Sequence, residues 1–166
     1  MSPTTDVALA DVDEAMADRL LQLAKGDASP DEVAPPLGGP GWNLERTAWF
    51  YGYHRAAAGG LDGPAAEKSW AVFTGPHLAG SVRLKREPGA GIPSAETGIW
   101  LGRSFRSRGI GGAALELVLA EARRAGLQRV TARTLGGNHG AQRLLTAAGA
   151  ALTHDGDGTV HAVIDL

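Results

Sequence analysis

Apolar positions recur at helical spacing between Asp11 and Lys25. Asp11 with Glu14 three residues on makes a capping-box-like opening, and Lys25-Gly26 closes the stretch, so a first helix is predicted here. Residues 27–42 are too rich in proline and glycine for a regular element and read as a long loop. Asn43 then caps a second helix over 44–58, ended by Gly59-Gly60, with Trp49, Tyr53 and Ala57 four apart on one face. Beyond it the period changes. Ser69–Thr74 and Leu78–Lys85 read as strands of a hairpin joined at Gly75-Pro76, and a third strand, Glu96–Leu101, follows the turn-rich stretch EPGAGIPSA. A helix over 111–125 with Gly126 as its stop, a strand over 129–134, a helix over 138–148 and a last strand over 159–164 complete the pattern. Strands and helices mix without a repeat. The pattern predicts an α+β (mixed α/β) fold in which residues 1–166 form one domain.

Composition narrows the function classes. A chain of 166 residues is long enough to bury a core without metal or disulfide. The absence of cysteine removes thiol nucleophiles, thiolate zinc sites and disulfides. His139, His154 and His161 have no metal-binding spacing, so no metal is expected. A net charge of -2 gives no global attraction to nucleic acid or anionic lipid. The N-terminal stretch MSPTTDVALADVDEAMADRL lacks the basic flank and long apolar run of a signal peptide, and a cytoplasmic protein is expected. Partners are therefore expected to be small, with neither nucleic acid nor membrane among them; a homodimer is compatible with the sequence.

The chemistry concentrates in ETGIWLGRSFRSRGIGGAA, residues 96–114, which reads as a strand, an arginine- and glycine-rich turn, and the start of a helix. Gly109, Gly111 and Gly112 allow close approach of backbone to a ligand, and the helix start offers free N–H groups at a positive dipole end. With Arg103, Arg106 and Arg108 this makes an anion site suited to a diphosphate. No Gly-Lys-Ser/Thr occurs, which excludes a Walker phosphate loop. Gly109-x-Gly111-x-x-Ala114 matches a dinucleotide fingerprint, yet the following strand ends Arg133-Thr134-Leu135 without the acid that binds ribose.

Arg106-Ser107-Arg108-Gly109-Ile110-Gly111 resembles the Arg/Gln-x-x-Gly-x-Gly/Ala signature of the GNAT superfamily of acetyl-CoA-dependent N-acetyltransferases. Glu96–Leu101 resembles the strand before that loop, especially in the branch of ribosomal-protein N-terminal acetyltransferases. Asn138–Leu145, followed by Gly149-Ala150, is similar to the family's second motif. The resemblance covers residues 96–150 and implies a central, mostly antiparallel, splayed sheet flanked by helices. It also implies that acetyl-CoA is a cosubstrate. Its diphosphate would sit on the turn of Arg106, Arg108, Gly109, Ile110, Gly111 and Gly112, its pantetheine arm would pair with backbone at Ile99 and Leu101, and Asn138 would help to place that arm.

Attack on a thioester needs a neutral amine, and a lysine-like amine has a pKa of about 10.4, so a proton must be removed. The resemblance puts Glu96 in the place of the carboxylate that does this, directly or through water. A purely structural Glu96 bonded to an arginine is the competing reading. His54 is a weaker base candidate. Many relatives carry Tyr where this chain has Leu145, which cannot protonate the departing thiolate; Ala150 also replaces a usual Phe. Trp42, Trp49, Tyr51 and Tyr53 are candidates to line an acceptor cleft, with helix packing the plainer reading for at least half of them. Asp155 and Asp157 fall in a hairpin turn that explains them. The reading is an N-acetyltransferase acting on a primary amine of a small molecule, such as an amine-bearing antibiotic, or of a peptide N-terminus. A non-catalytic acyl-CoA-binding or sensor domain is the alternative, motivated by Leu145.

Overall fold

A computed structural model describes residues 6–89 and 91–166. Met1–Thr5, the first part of the stretch read for a leader, and Ala90 in the turn-rich stretch lie outside the described residues. The elements run β1 (Val7–Asp11), α1 (Glu14–Asp27), α2 (Pro30–Val33), α3 (Leu44–Ala57), β2 (Glu67–Thr74), β3 (His77–Arg86), β4 (Ser94–Leu101), α4 (Ile110–Arg124), β5 (Arg129–Leu135), α5 (His139–Ala147), β6 (Ala151–His154) and β7 (Thr159–Asp165).

Seven strands form one sheet in the order β1-β2-β3-β4-β5-β7-β6, with every neighbouring pair antiparallel except β4 and β5. This is the mixed α+β architecture that the pattern predicts, with the mostly antiparallel sheet that the resemblance implies. It also overturns the dinucleotide reading of Gly109-x-Gly111-x-x-Ala114, since a doubly wound nucleotide fold requires successive parallel strands and among the described residues only β4 and β5 pair in parallel.

Period-two alternation decides what each face of the sheet packs against. Trp70, Val72, Val82, Leu84 and Ala95 join Leu115, Val118 and Leu119 of α4 in the larger core. On the opposite face Ala71 packs with Leu20 and Leu21 of α1 and with Phe50 of α3. The residues between these core positions face the α1/α3 side, among them Glu67 and Ser69 of β2, Ser81 and Arg83 of β3, and Glu96 and Gly98 of β4. Such polar residues inside strands are out of place in a packed layer, which marks this half of the face as a site.

Several boundaries differ from the sequence-based expectations for local reasons. Asp13, whose Oδ1 accepts from the Met16 N–H at 2.8 Å, caps α1, whereas Asp11 belongs to β1. The proline-rich loop contains one helical turn, α2, because Pro30 occupies its first position, where its missing N–H costs nothing. On α3 the fully buried line is Arg46, Phe50, His54 and Ala57, with the half-buried Trp49 and Tyr53 on its flank. Asn43 caps α3 as expected, its Oδ1 accepting from the Arg46 N–H at 2.9 Å.

Candidate active site

β4 and β5 are hydrogen-bonded neighbours only from Ser94 to Glu96, opposite Arg129 to Thr131. Beyond Glu96 they diverge. β5 stays paired with β7 through Leu135 and β4 with β3 through Leu101, so a wedge opens between Thr97–Leu101 and Ala132–Leu135. A cavity of about 200 Å³ occupies this wedge, lined by Ile99, Ala132, Thr134, Asn138 and Leu145 among others. Ile99 is 40% exposed, an unusual position for a large apolar residue within a strand. Of the two backbone positions expected to face a pantetheine arm, Ile99 borders the wedge. The Leu101 carbonyl is instead taken by the Arg106 guanidinium, at 3.0 Å from Nε and 2.9 Å from Nη2.

The turn after β4 is built to present backbone. Arg103–Phe105 form one 3₁₀ turn, Ser107 adopts φ +59°, and Gly109 adopts φ +80° as the N-cap of α4. A left-handed residue at the cap turns the chain sharply into the helix, and glycine does so without Cβ strain. No side chain caps α4, which leaves its first-turn N–H groups available at the positive end of the helix dipole. A Cβ at Gly112 would meet nothing within 4 Å, whereas one at Gly111 would lie 2.8 Å from Leu144 Cδ1. Gly111 therefore serves packing against α5 and Gly112 faces open space. Ile110 is buried beneath the turn and anchors it to the core.

The arginines divide their work. Arg108 is exposed, its Nη1 reaching the Ser104 carbonyl at 3.4 Å and its guanidinium lying 5.7 Å from the Phe105 ring. Arg106 ties the turn to the Leu101 carbonyl and pairs with Glu32 of the short α2 turn, so in this structure it is already partnered.

A second cavity, of about 650 Å³, lies on the other face of the sheet, between the 31–36 segment, α3 and strands β2 to β4. Trp49 and Tyr53 stack at 5.2 Å on its α3 wall. Trp42 instead packs edge-on against Phe50, and Tyr51 donates to Asp18 at 2.5 Å on the far side of α3. Half of the four aromatics are thus packing residues.

The cleft floor is a chain of charges that the sequence reading missed apart from Glu96. Tyr53 Oη donates to Glu67 Oε2 at 2.9 Å; burial, and then the Glu67 charge, push the phenol well above its usual range, so it stays protonated. Arg83 lies 3.8 Å from Glu67 and donates to Glu96 Oε1 at 2.9 Å, while Arg133 stands 4.0 Å from Glu96 Oε2. The Arg83 side chain passes so close over Gly98 that a Cβ there would sit 2.9 Å from its Nε. Alternating polar residues in β2 and β3 were the available signal for Glu67 and Arg83, but the register that brings them to Glu96 is a tertiary property. His54 also borders the cleft, with Nδ1 2.9 Å from Ser69 Oγ, and burial lowers its pKa to about 4. It is neutral and weakly basic at pH 7, a poor general base.

The two cavities share Val82, Gly98 and Ile99. Glu96, where the strands part, lines the second. Asn138, at the wedge rim, caps α5 through Oδ1 and the Ala141 N–H at 3.1 Å. Leu145 is buried in the wedge wall and gives it an apolar surface. Among the described residues no group of three or more acidic, histidine or cysteine side chains could hold a metal, and no helix is long and apolar enough to cross a membrane.

The family model described as acetyltransferase (GNAT) family matches residues 40–150. Solved structures share the fold. The GNAT domain of S. lividans PAT is 22% identical at a TM-score of 0.71, over 96% of this chain and 89% of that one. Mycobacterium smegmatis RimJ in complex with CoA-disulfide is 21% identical at 0.74, over 96% and 81%. An acetyl transferase from Salmonella typhimurium, which modifies the N-terminal serine of a 50S ribosomal subunit protein, is 18% identical at 0.72, over 99% and 97%. No curated protein sequence matches the chain significantly.

Proposed function

The chain belongs to the acetyltransferase (GNAT) family, with acetyl-CoA as its cosubstrate, and on that premise we propose that the wedge and the cleft are its two substrate sites. The wedge takes the pantetheine arm, the turn from Arg106 to Gly112 takes the diphosphate, and the cleft takes a primary amine. The observation that carries this reading is the shared wall at Val82, Gly98 and Ile99, which joins cavities on opposite faces of the sheet beside one carboxylate.

Acetyl-CoA supplies a thioester carbonyl open to attack by a neutral amine. The N–H groups of Ile110, Gly111 and Gly112 donate to the diphosphate, with the Arg108 guanidinium adding charge. Unpaired β4 backbone at Ile99 and the side chain of Asn138 orient the arm in the wedge. Glu96 takes the proton of the acceptor ammonium, directly or through water, while Arg83 fixes the carboxylate by its Oε1. Leu145 donates no proton, and none is required, because a thiol with a pKa near 8.5 departs as thiolate.

The acceptor is a small cationic amine. Asp31, Glu32, Glu67 and Glu96 line the cleft, and the stacked Trp49 and Tyr53 offer a flat surface to an apolar or cationic body. A peptide N-terminus is the second reading, favoured by the fold shared with the Salmonella typhimurium enzyme that modifies a ribosomal-protein N-terminal serine. A thermal-shift panel tests the cosubstrate: acetyl-CoA and CoA raise Tm and NADH and NADPH do not, and stabilisation by the nicotinamides alone would overturn the reading. Thiol release across a library of small amines and short peptides then separates the acceptor classes.

A further inference from the structure

The Asp27–Val33 segment is tied to both substrate sites. Asp27 Oδ2 accepts from the Ser104 N–H at 3.0 Å, in the turn that precedes Arg106. Asp31 accepts from Arg46 at 2.8 Å, and Arg46, 1% exposed, also donates to the Gly39 carbonyl at 3.0 Å. The Asp27 and Asp31 contacts hold the chain ahead of Glu32, and the Ala34 N–H donates to the Pro30 carbonyl at 2.9 Å across it. Glu32 lines the acceptor cleft and pairs with Arg106 Nη2. The Arg106 head is independently anchored, because its Nε donates to the Leu101 carbonyl at 3.0 Å.

We propose that Glu32 is a positioning residue: it holds the Arg106 guanidinium beside the Gly109 turn in the free enzyme and yields it to the diphosphate when acetyl-CoA binds. The inference rests on the placement of the diphosphate at that turn. The Glu32–Arg106 pair is more than a third exposed on both sides, which makes it weak, whereas a diphosphate brings several charged oxygens to the same guanidinium beside a helix N-terminus. Nε and Nη2 both donate to the Leu101 carbonyl, at 3.0 and 2.9 Å, so the guanidinium keeps an anchor when the Glu32 oxygen is given up. The exchange also leaves the Glu32 carboxylate uncompensated in the cleft that receives the ammonium. Binding of the first substrate thereby raises the negative charge offered to the second.

The test is calorimetric titration with CoA and with pantetheine, which lacks the diphosphate. Removing the competing carboxylate in Glu32→Gln tightens CoA binding about two- to fivefold, the range expected for a half-exposed pair. Pantetheine affinity stays the same. In an Arg106→Ala background the same Glu32→Gln change has no effect on CoA, which closes a double-mutant cycle. An unchanged or weakened CoA affinity in Glu32→Gln, equal tightening of pantetheine, or an equal effect without Arg106 would overturn the proposal. A folded Gly109→Val protein that binds CoA as tightly as the parent would instead overturn the placement of the diphosphate. Loss of CoA affinity in Gly109→Val with no effect of Glu32→Gln would sink the exchange alone.

Discussion

At the scale of single residues, the proposed chemistry rests on the cleft floor. Glu96 is held by Arg83 at 2.9 Å, where the strands part. Glu96→Gln keeps the shape and removes the proton acceptor, so kcat should fall by about 10² or more with CoA affinity unchanged; steady-state kinetics paired with CoA titration check this, and unchanged turnover would remove Glu96 from the mechanism. His54 makes a separate prediction. Its folded pKa of about 4 lies below the unfolded 6.5, so between those values the unfolded chain binds the extra proton. The contribution is whole above pH 6.5 and is lost as pH falls toward 4, by about 1.4 kcal/mol per unit. Urea midpoints at pH 7 and pH 5 should separate in the parent protein and draw together in His54→Gln, where equal separation would contradict the assignment. Glu96 was legible in the sequence through its place in a motif. Glu67 and Arg83 carried only the weak signal of polar alternation in their strands, because the partnership that makes them part of the site depends on strand register.

At the scale of elements, two devices position the site. One is the loss of β4–β5 pairing after Glu96, and the other is the left-handed Gly109 that turns the chain into α4. The strand-turn-helix order, its glycines and the Asn138 cap could be read from the sequence, since each follows from local backbone chemistry. β1, α2 and β6 could not: they span only 4 or 5 residues, and the two strands lie at the sheet edges, where few positions carry the alternating pattern. Gly80 shows a demand invisible before the register is known. A Cβ there would lie 2.1 Å from the Trp100 carbonyl, so Gly80→Ala should cost about 1–3 kcal/mol in chemical denaturation, through β3–β4 overpacking. Asn43→Ala should cost about 1 kcal/mol by the same measurement, since Asn43 both caps α3 and donates to the Leu37 carbonyl at 2.8 Å.

For the molecule as a whole, the sheet separates the two cavities and the splay joins them. The α4 face holds the larger apolar core and the wedge, while the α1/α3 face carries the charged cleft. A fully paired sheet of this size would keep the two cavities apart. The placement of the two cavities on opposite faces could not be read from composition and required the topology. The most direct test is to follow backbone amide resonances during CoA titration. The largest changes should fall at Ile110–Gly112, at Ile99, and across the wedge at Ala132–Thr134. Changes concentrated instead in the groove bordered by Lys68, Arg86 and Arg124, with the Gly109 turn silent, would contradict the account.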